Sequence, residues 1–444
     1  SLNTLSDRPG MDSQKTNSYG IKVFHSYDGF ELQSYTSSTN TNVIFSYDAD
    51  WGNTDSHFPY VYDYFSETLR DRKSLNQEFR VVSDSADFQK NSFFEWVIGA
   101  SYLELKESNL KKDDGLYGDP SDPYGPYVSA SSFSSKYKSS NFSIFGNLDY
   151  LLSTSLKFSI GLRWEDWEAD YSDSLQESFN PTDKMSGGKI SLIKNMTIYT
   201  NMYASLARGY KQGGFNLGLD ANATNKNLTY DPEFLTNYEL GINTKILDSR
   251  ITFNGVLFYS DREDQQVLIS TQTDPSDPNT FSFLTQNAAE GVNHGLEINM
   301  DLDINESLSA FVNLGILKTE IKNWQSRQDL EGRAQAHAPE RSYVLGLNWA
   351  PTSHSYLAID FTGKSSFYYS DSHNNKSKSY VLTNLNLGYV KNNWNYELWA
   401  RNIFDEYYSV RGFYFGNEAP NFIDTLYERR GDPRHIGISI RYDF

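Results

Sequence analysis

The feature that most limits how this chain can fold is a two-residue alternation of apolar and polar side chains, repeated from one end to the other. Leu296, Ile298, Met300, Leu302 and Ile304 alternate with Glu297, Asn299, Asp301 and Asp303. Leu156, Phe158, Ile160, Leu162 and Trp164 do the same, as do Leu308 to Ile316 and Tyr343 to Trp349. Successive side chains on a strand point to opposite faces, so each segment has one apolar and one polar face. Several segments run ten residues or more, against about 5–6 for a globular strand and roughly 9–11 for one crossing a bilayer. Length therefore favours membrane strands.

Composition agrees once read through that pattern. Mean hydropathy is −0.60, yet aromatics make up 15% of the chain, which argues against disorder. No apolar run is long enough for a membrane helix, and an alternating strand hides its lipid face from averaged scales. The net charge of −18 excludes a nucleic-acid partner. With no cysteine, disulfides and thiolate metal sites are excluded.

The connections alternate in length. One set is short, at 28–29, 152–153, 194–195, 248–249, 305–306, 351–352 and 391–392, with 83–92 as its one longer member. The other is mostly longer and polar, at 49–72, 107–136, 172–182, 208–233, 271–280, 323–337, 369–377 and 404–426. Short periplasmic turns and long outer loops are the outer-membrane arrangement. Seventeen strands are expected: 18–27, 30–48, 73–83, 92–106, 137–151, 154–171, 183–193, 195–207, 234–247, 250–270, 281–304, 307–322, 338–350, 353–368, 378–390, 393–403 and 427–444. Because closed single-chain barrels have an even number with both ends periplasmic, an odd count points to strands missing before residue 18. Unpaired edges are then expected at 18–27 and 427–444. The opening Ser1-Leu2-Asn3-Thr4-Leu5 has no basic segment or apolar h-region, so a signal peptide is expected either to have been removed or to belong to a missing N-terminus. Phe93, Phe94 and Trp96, Trp164 with Trp167, Trp394, and Tyr407 with Tyr408 are read as interfacial girdles.

Two segments near the C-terminus carry a family resemblance. Residues 401–408, Arg-Asn-Ile-Phe-Asp-Glu-Tyr-Tyr, are similar to the penultimate-strand motif of TonB-dependent receptors. Residues 431–444, from Gly431-Asp432-Pro433-Arg434 to Phe444, resemble the family's closing strand. The resemblance implies that Gly437, Ile440, Tyr442 and Phe444 of that strand are the signal read by the barrel assembly machinery. Residues 76–83 with 94–99, 207–216, 238–241 through 258–259, and 287–291 with 294–297 resemble internal segments in family order. The resemblance implies an all-β, antiparallel transmembrane barrel over residues 1–444. It would comprise about 17 C-terminal strands of a presumed 22, with the lumen plug and the TonB-contacting segment absent. It also implies a bacterial outer-membrane receptor that takes up a scarce nutrient, foremost a ferric siderophore, with energy from TonB. Glycan, haem and cobalamin are the family's other substrates. The implied partners are the TonB complex through the missing N-terminal region, outer-membrane lipid and lipopolysaccharide, and the assembly machinery.

A passive diffusion porin and a secreted glycan-binding β-protein remain as alternatives. An enzyme is not expected, since nothing pairs a nucleophile with a base. The seven histidines lack metal-ligand spacing, so neither a metal nor a cofactor is expected. Residues 209–214 are Gly-rich without a strand-loop-helix context, and read as a loop base with unusual backbone angles. The acidic stretches 118–123 and 273–278 carry carboxylates that suit calcium, but their spacing fits Asp-Pro turns better. If the chain is a receptor, ligand contacts should come from aromatics and cations of the loops and upper lumen. The candidates are Tyr124, Tyr127, Arg208, Tyr210, Lys211, Phe215, Trp324, Arg327, Arg411, Phe413, Tyr414 and Phe415.

Overall fold

A computed structural model describes residues 5–84, 93–216, 229–272, 281–324, 327–371, 373–415 and 423–444. The strands in chain order are β1 (Met11–Tyr27), β2 (Phe30–Asp48), β3 (Val61–Ser83), β4 (Phe94–Gly118), β5 (Tyr127–Ser153), β6 (Leu156–Asp173), β7 (Ser178–Phe179) and β8 (Thr182–Asn195). There follow β9 (Thr200–Lys211), β10 (Gly214–Phe215), β11 (Thr229–Tyr230), β12 (Glu233–Ile246), β13 (Ile251–Gln272), β14 (Phe281–Asn305) and β15 (Leu308–Asn323). The last are β16 (Arg341–Thr352), β17 (Ser355–Lys364), β18 (Tyr380–Lys391), β19 (Trp394–Arg401), β20 (Ser409–Phe415), β21 (Thr425–Arg430) and β22 (His435–Tyr442).

One antiparallel sheet of eighteen strands contains all of these except the small hairpins β10–β11 and β20–β21. Each strand pairs with the next long strand along the chain, so the sheet is a meander. Among the described residues β1 pairs only with β2, and β22 only with β19. No ladder joins these two edges.

The register turns the alternation into two continuous faces. Across seven strands the partners Phe158, Leu192, Ala204, Leu240, Leu257, Leu296 and Ile316 form one apolar row. Leu308, Trp349, Leu357, Leu387, Leu398 and Ile438 form another. These side chains are open to the surroundings, with Leu240 61% exposed and Ile438 73% exposed. Covering one such side chain is worth about 1.5–3 kcal/mol, so a face of this extent calls for an apolar medium. The opposite face is polar: Asn201, Asn243, Asn254, Asn299 and Asn313 lie abreast on five neighbouring strands.

Aromatic belts bound the apolar band. At the short-turn end stand Phe94, Tyr150, Trp349, Tyr389, Trp394 and Tyr442, and towards the long connections Tyr102, Phe142, Trp164, Tyr238 and Tyr259, all outward and exposed. Phe94 and Tyr102 are eight residues apart, about 27 Å along a strand. After tilt this is comparable with the ~25 Å band of a membrane barrel. Two expected girdle residues lie elsewhere. Trp167 is only 1% exposed, because its odd separation from Trp164 puts it on the other face. Tyr408 packs on Tyr380 at 4.5 Å, beside buried Phe367 and Tyr369.

Several strands exceed their expected bounds. β1 starts at Met11, β3 at Val61 and β5 at Tyr127, and β4 runs on to Gly118, through stretches expected to be loops. Both faces of the sheet are polar there, so the alternation fades while the backbone ladder continues. The expected strand 427–444 is divided into β21 and β22 around Pro433, which has no N–H to give the ladder. The turn at 83–92 lies largely outside the described residues.

Candidate ligand-binding site

Above the apolar band, β3 to β6 continue as a tall wall whose inner face carries a group of aromatic and ionic side chains. On β6, Trp164, Asp166, Glu168 and Asp170 point outward, whereas Glu165, Trp167, Ala169 and Tyr171 point inward and are buried. Trp167 packs with Ala169 and Met185, and Tyr137 and Tyr210 close over them. Next to this core lies a cavity of about 340 Å³, lined by Arg72, Glu107, Tyr137, Tyr171, Phe215 and Tyr230 among others. The Phe215 ring stacks on Phe179 at 5.5 Å and lies 4.9 Å from Tyr171 and 5.9 Å from Tyr137.

The cationic side is built by i, i+2 placement on paired strands. Arg70 and Arg72 of β3 face Asn109 and Glu107 of β4 in register. Arg72 Nε donates to Glu107 at 2.6 Å, Arg70 Nε lies 3.5 Å from the same carboxylate, and Asn109 Nδ2 donates to it at 2.9 Å. Two guanidiniums thus share one carboxylate, leaving one positive charge in excess, with Lys211 also lining the cavity. Burial works against ionisation of Glu107, but the hydrogen bonds from Asn109 and Arg72 and the charges of Arg70 and Arg72 outweigh it. Its carboxyl is held below the usual range. Burial, reinforced by a 2.8 Å hydrogen bond to Asp173, pushes the Tyr171 phenol up. Burial raises the Tyr230 phenol as well. At neutral pH both phenols keep their protons and can donate. Beneath the cavity Arg163, Glu165, Tyr210 and Asn141 form one knot. Arg163 Nη2 donates to Glu165 at 2.7 Å, Tyr210 Oη at 3.2 Å and Asn141 Nδ2 at 2.6 Å.

The Gly-rich segment brings Lys211 and Phe215 here, for a different reason from the one expected. Among the described residues only Gly29 and Gly332 are glycines with positive φ. A Cβ on Gly213 would instead stand 2.5 Å from the Tyr230 carbonyl oxygen, and one on Gly214 2.5 Å from the Tyr230 hydroxyl. These glycines permit the close approach of β10 to β11.

Of the expected contact residues, Lys211 and Phe215 therefore line this cavity, and Tyr210 lies beneath it in the knot with Arg163 and Glu165. The others are dispersed. Arg208 lies on the outer face, its guanidinium 4.2 Å from the centre of the Phe234 ring. Tyr124 is exposed in the β4–β5 connection and Tyr127 at the start of β5, where Tyr127 donates to Asp122 at 2.9 Å. Trp324 is buried with Val267, Ile321 and Leu330. Arg327 makes a two-pronged bond to Asp329, 3.0 Å on each arm. In the β20–β21 hairpin, which also holds exposed Arg411, Phe413 packs on Trp51 at 5.5 Å, and Tyr414 accepts a 2.8 Å bond from Asn375. The side chain of Phe415 is outside the described residues. Sequence reasoning missed Arg70, Arg72, Glu107, Tyr137, Trp167, Tyr171 and Tyr230. The parity of Trp164 against Trp167 was the available signal for the inner face. In the acidic stretch 118–123, Asp119 accepts from the Ser121 amide at 2.8 Å and Asp122 from the Tyr124 amide at 2.9 Å, which are turn contacts. The stretch 273–278 lies outside the described residues. Among the described residues no group of three or more His, Cys, Asp or Glu is placed to hold a metal.

Comparison with known proteins settles the family. Residues 2–403 match the family described as TonB dependent receptor-like, β-barrel. The chain belongs to that family. It is 23% identical over 267 residues to the pesticin receptor of Yersinia pestis, covering 58% of this chain and 36% of that protein. In structure it is similar to the ferric yersiniabactin uptake receptor FyuA of Yersinia pestis, with TM-score 0.75 and 18% identity over 97% of this chain. The siderophore receptor PiuA of Acinetobacter baumannii gives TM-score 0.72 and 16% identity over 97% of this chain. The chain spans 61% and 65% of those two structures. Family members are outer-membrane transport receptors, not enzymes.

Proposed function

We propose that this TonB-dependent receptor takes up a ferric siderophore across the bacterial outer membrane. The apolar band crosses the hydrocarbon, and the long connections face outward. The observation that carries the reading is the upper-lumen cavity, where stacked aromatics stand beside guanidiniums in excess of carboxylate. A ferric chelate with flat catechol or phenolate rings and net negative charge fits both halves. Its rings would stack on Phe215 and Tyr137, and its anionic edge would face Arg72 and Lys211. The names of the similar proteins, which include siderophore and ferric yersiniabactin receptors, point the same way. Energy would come from the TonB complex. Lipopolysaccharide would surround the wall, and the assembly machinery would read Gly437, Ile440, Tyr442 and Phe444.

The test is uptake of radiolabelled ferric siderophores by iron-starved cells with and without the gene. Uptake should need the gene, stop with a protonophore and fall in Phe215→Ala. Uptake that persisted in the presence of a protonophore would favour a passive pore. Expression that failed to rise on iron withdrawal would favour a glycan or cobalamin.

A further inference from the structure

One wall of the upper-lumen cavity cannot hold itself in place. Phe215 and Tyr230 reach the cavity on the β10–β11 hairpin, whose ladder is two residue pairs, Gly214 with Tyr230 and Phe215 with Thr229. Even a longer isolated hairpin is marginal in water, so the position of this one is fixed by what it touches. On the side of β6 and β8, the Gly213 amide donates to Asp183 Oδ2 at 3.0 Å and the Phe215 ring rests on Phe179. On the opposite side the hairpin meets β13 and β14, from which Gln266 reaches the lining of the cavity.

The pairing of β13 with β14 is irregular at this point and regular below it. Its register shifts between Arg262 and Gln265 and again between Gln265 and Gln266, and Asp264 takes a positive φ of 54°. Bulges re-aim the side chains beside them. Here Gln266 is aimed at the hairpin. Its Nε2 donates to the Gln212 carbonyl at 2.8 Å and to the Asp231 carbonyl at 3.0 Å, so one amide group spans both feet of the hairpin. Both amide hydrogens are thereby engaged, and neither is left for a ligand. The backbone N–H of Gln266 donates to Glu233 at 2.9 Å, and Arg262 Nε donates to the same carboxylate at 2.8 Å. Asn287, the partner of Gln266 on β14, accepts from the Asp231 amide at 2.6 Å and donates to the Asp231 carbonyl at 2.8 Å.

We propose that Gln266 is a positioning residue for the ligand cavity. It clamps the two feet of the β10–β11 hairpin and so sets where Phe215 and Tyr230 stand against Tyr137, Tyr171 and Arg72. It acts through Phe215 and not by touching the ligand. This rests on the reading of the cavity as the ligand site and adds to it a determinant on the far wall of the lumen.

The experiment uses the full chain purified from outer membranes in mild detergent. Gln266→Met keeps the length of the side chain, removes both donors and leaves the backbone ladder alone, and heat-modifiable gel migration verifies that it folds. Hydrogen exchange reads the hairpin without any ligand. Exchange over 212–216 and 229–231 should quicken about tenfold, the scale of one net hydrogen bond, while 235–245 of β12 should not change. Binding is read with ferric tris-catecholate. Affinity should fall about tenfold in Gln266→Met. It should fall further in Gln266→Glu, which sets a carboxylate against two carbonyl oxygens. Once Phe215→Ala is present, Gln266→Met should cost nothing more. Unchanged exchange in the hairpin, unchanged affinity in Gln266→Met, or losses from Phe215→Ala and Gln266→Met that simply add would overturn the proposal. A wild type that bound no ferric catecholate would remove the ligand reading instead, and the exchange result would still decide whether Gln266 holds the hairpin.

Discussion

The stretch of wall formed by β3 to β6 and the stretch formed by β12 to β15 present similar outsides and different insides. Outside, both carry rows of leucine, isoleucine and aromatic rings between two belts. Inside, β3 to β6 hold Arg70, Arg72, Arg80 and Arg163 among Phe145, Trp167 and Tyr171, with Arg163 5.8 Å from the Phe145 ring. The inner face of β12 to β15 holds Glu239, Glu297, Asp301 and Asp303 with the asparagine row, and none of these four carboxylates has an ion-pair partner within 4 Å among the described residues. The medium dictates the outer face, so it is uniform around the sheet. Nothing in the medium dictates the inner face beyond wetness, and that is where a ligand preference can be written. Under the proposed function, the guanidiniums beside stacked rings at the upper end of β3 to β6 would receive the anionic aromatic ligand.

The contrast can be tested by substitution, beginning with the largest expected effect. Trp167→Ala removes the buried anchor of the β3–β6 interior and should cost about 3–5 kcal/mol in denaturant unfolding from vesicles. Asn299→Ala, in the wet asparagine row of β12 to β15, should cost far less. On the outside, Leu148→Arg and Leu257→Arg should each cost about 2–4 kcal/mol, because both sit within the lipid band. A cost confined to one of them would break the claim that the two exteriors are alike.

Smaller effects concern the ligand. Arg72→Gln should weaken binding of an anionic ferric chelate about tenfold, while Asp301→Asn should leave it nearly unchanged. Equal effects would erase the asymmetry between the two interiors. The pH profile is the gentlest test. The Glu107 carboxyl is held below its unfolded value, so its pairing contributes fully above the ordinary carboxylate range and is lost only as pH falls through the lowered value. The stability contributed by this pairing, read in denaturant unfolding, should therefore hold from neutral pH down to that range and drop beneath it. Glu107→Gln should abolish that drop.

The alternation of residues such as Leu296 and Glu297 made the strands, the short turns and the apolar face legible, because lipid imposes a strict two-residue period. It could not mark the upper reaches of β3, β4 and β5, where water bathes both faces and no period is imposed. The cavity was half visible for the same reason. Tyr210, Lys211 and Phe215 stand out beside the Gly-rich segment, but Arg72, Glu107 and Tyr171 meet only through a register set across four strands. Arg208 looked like a ligand group by type. Its position on the outer face follows from pairing with Gly188, which one sequence does not reveal.

The account stands on the assignment of faces, and the cysteine-free chain allows that to be measured directly. Single cysteines placed in turn along β6 at Ile160, Gly161, Leu162, Arg163, Trp164 and Glu165 can be challenged in intact membranes with a water-soluble maleimide. Cysteines at Gly161 and Arg163 should react, that at the buried Glu165 position more slowly, and those at Ile160, Leu162 and Trp164 only after detergent is added. Labelling that failed to alternate, with neighbouring positions reacting alike, would contradict a wall with lipid on one side and a wet lumen on the other.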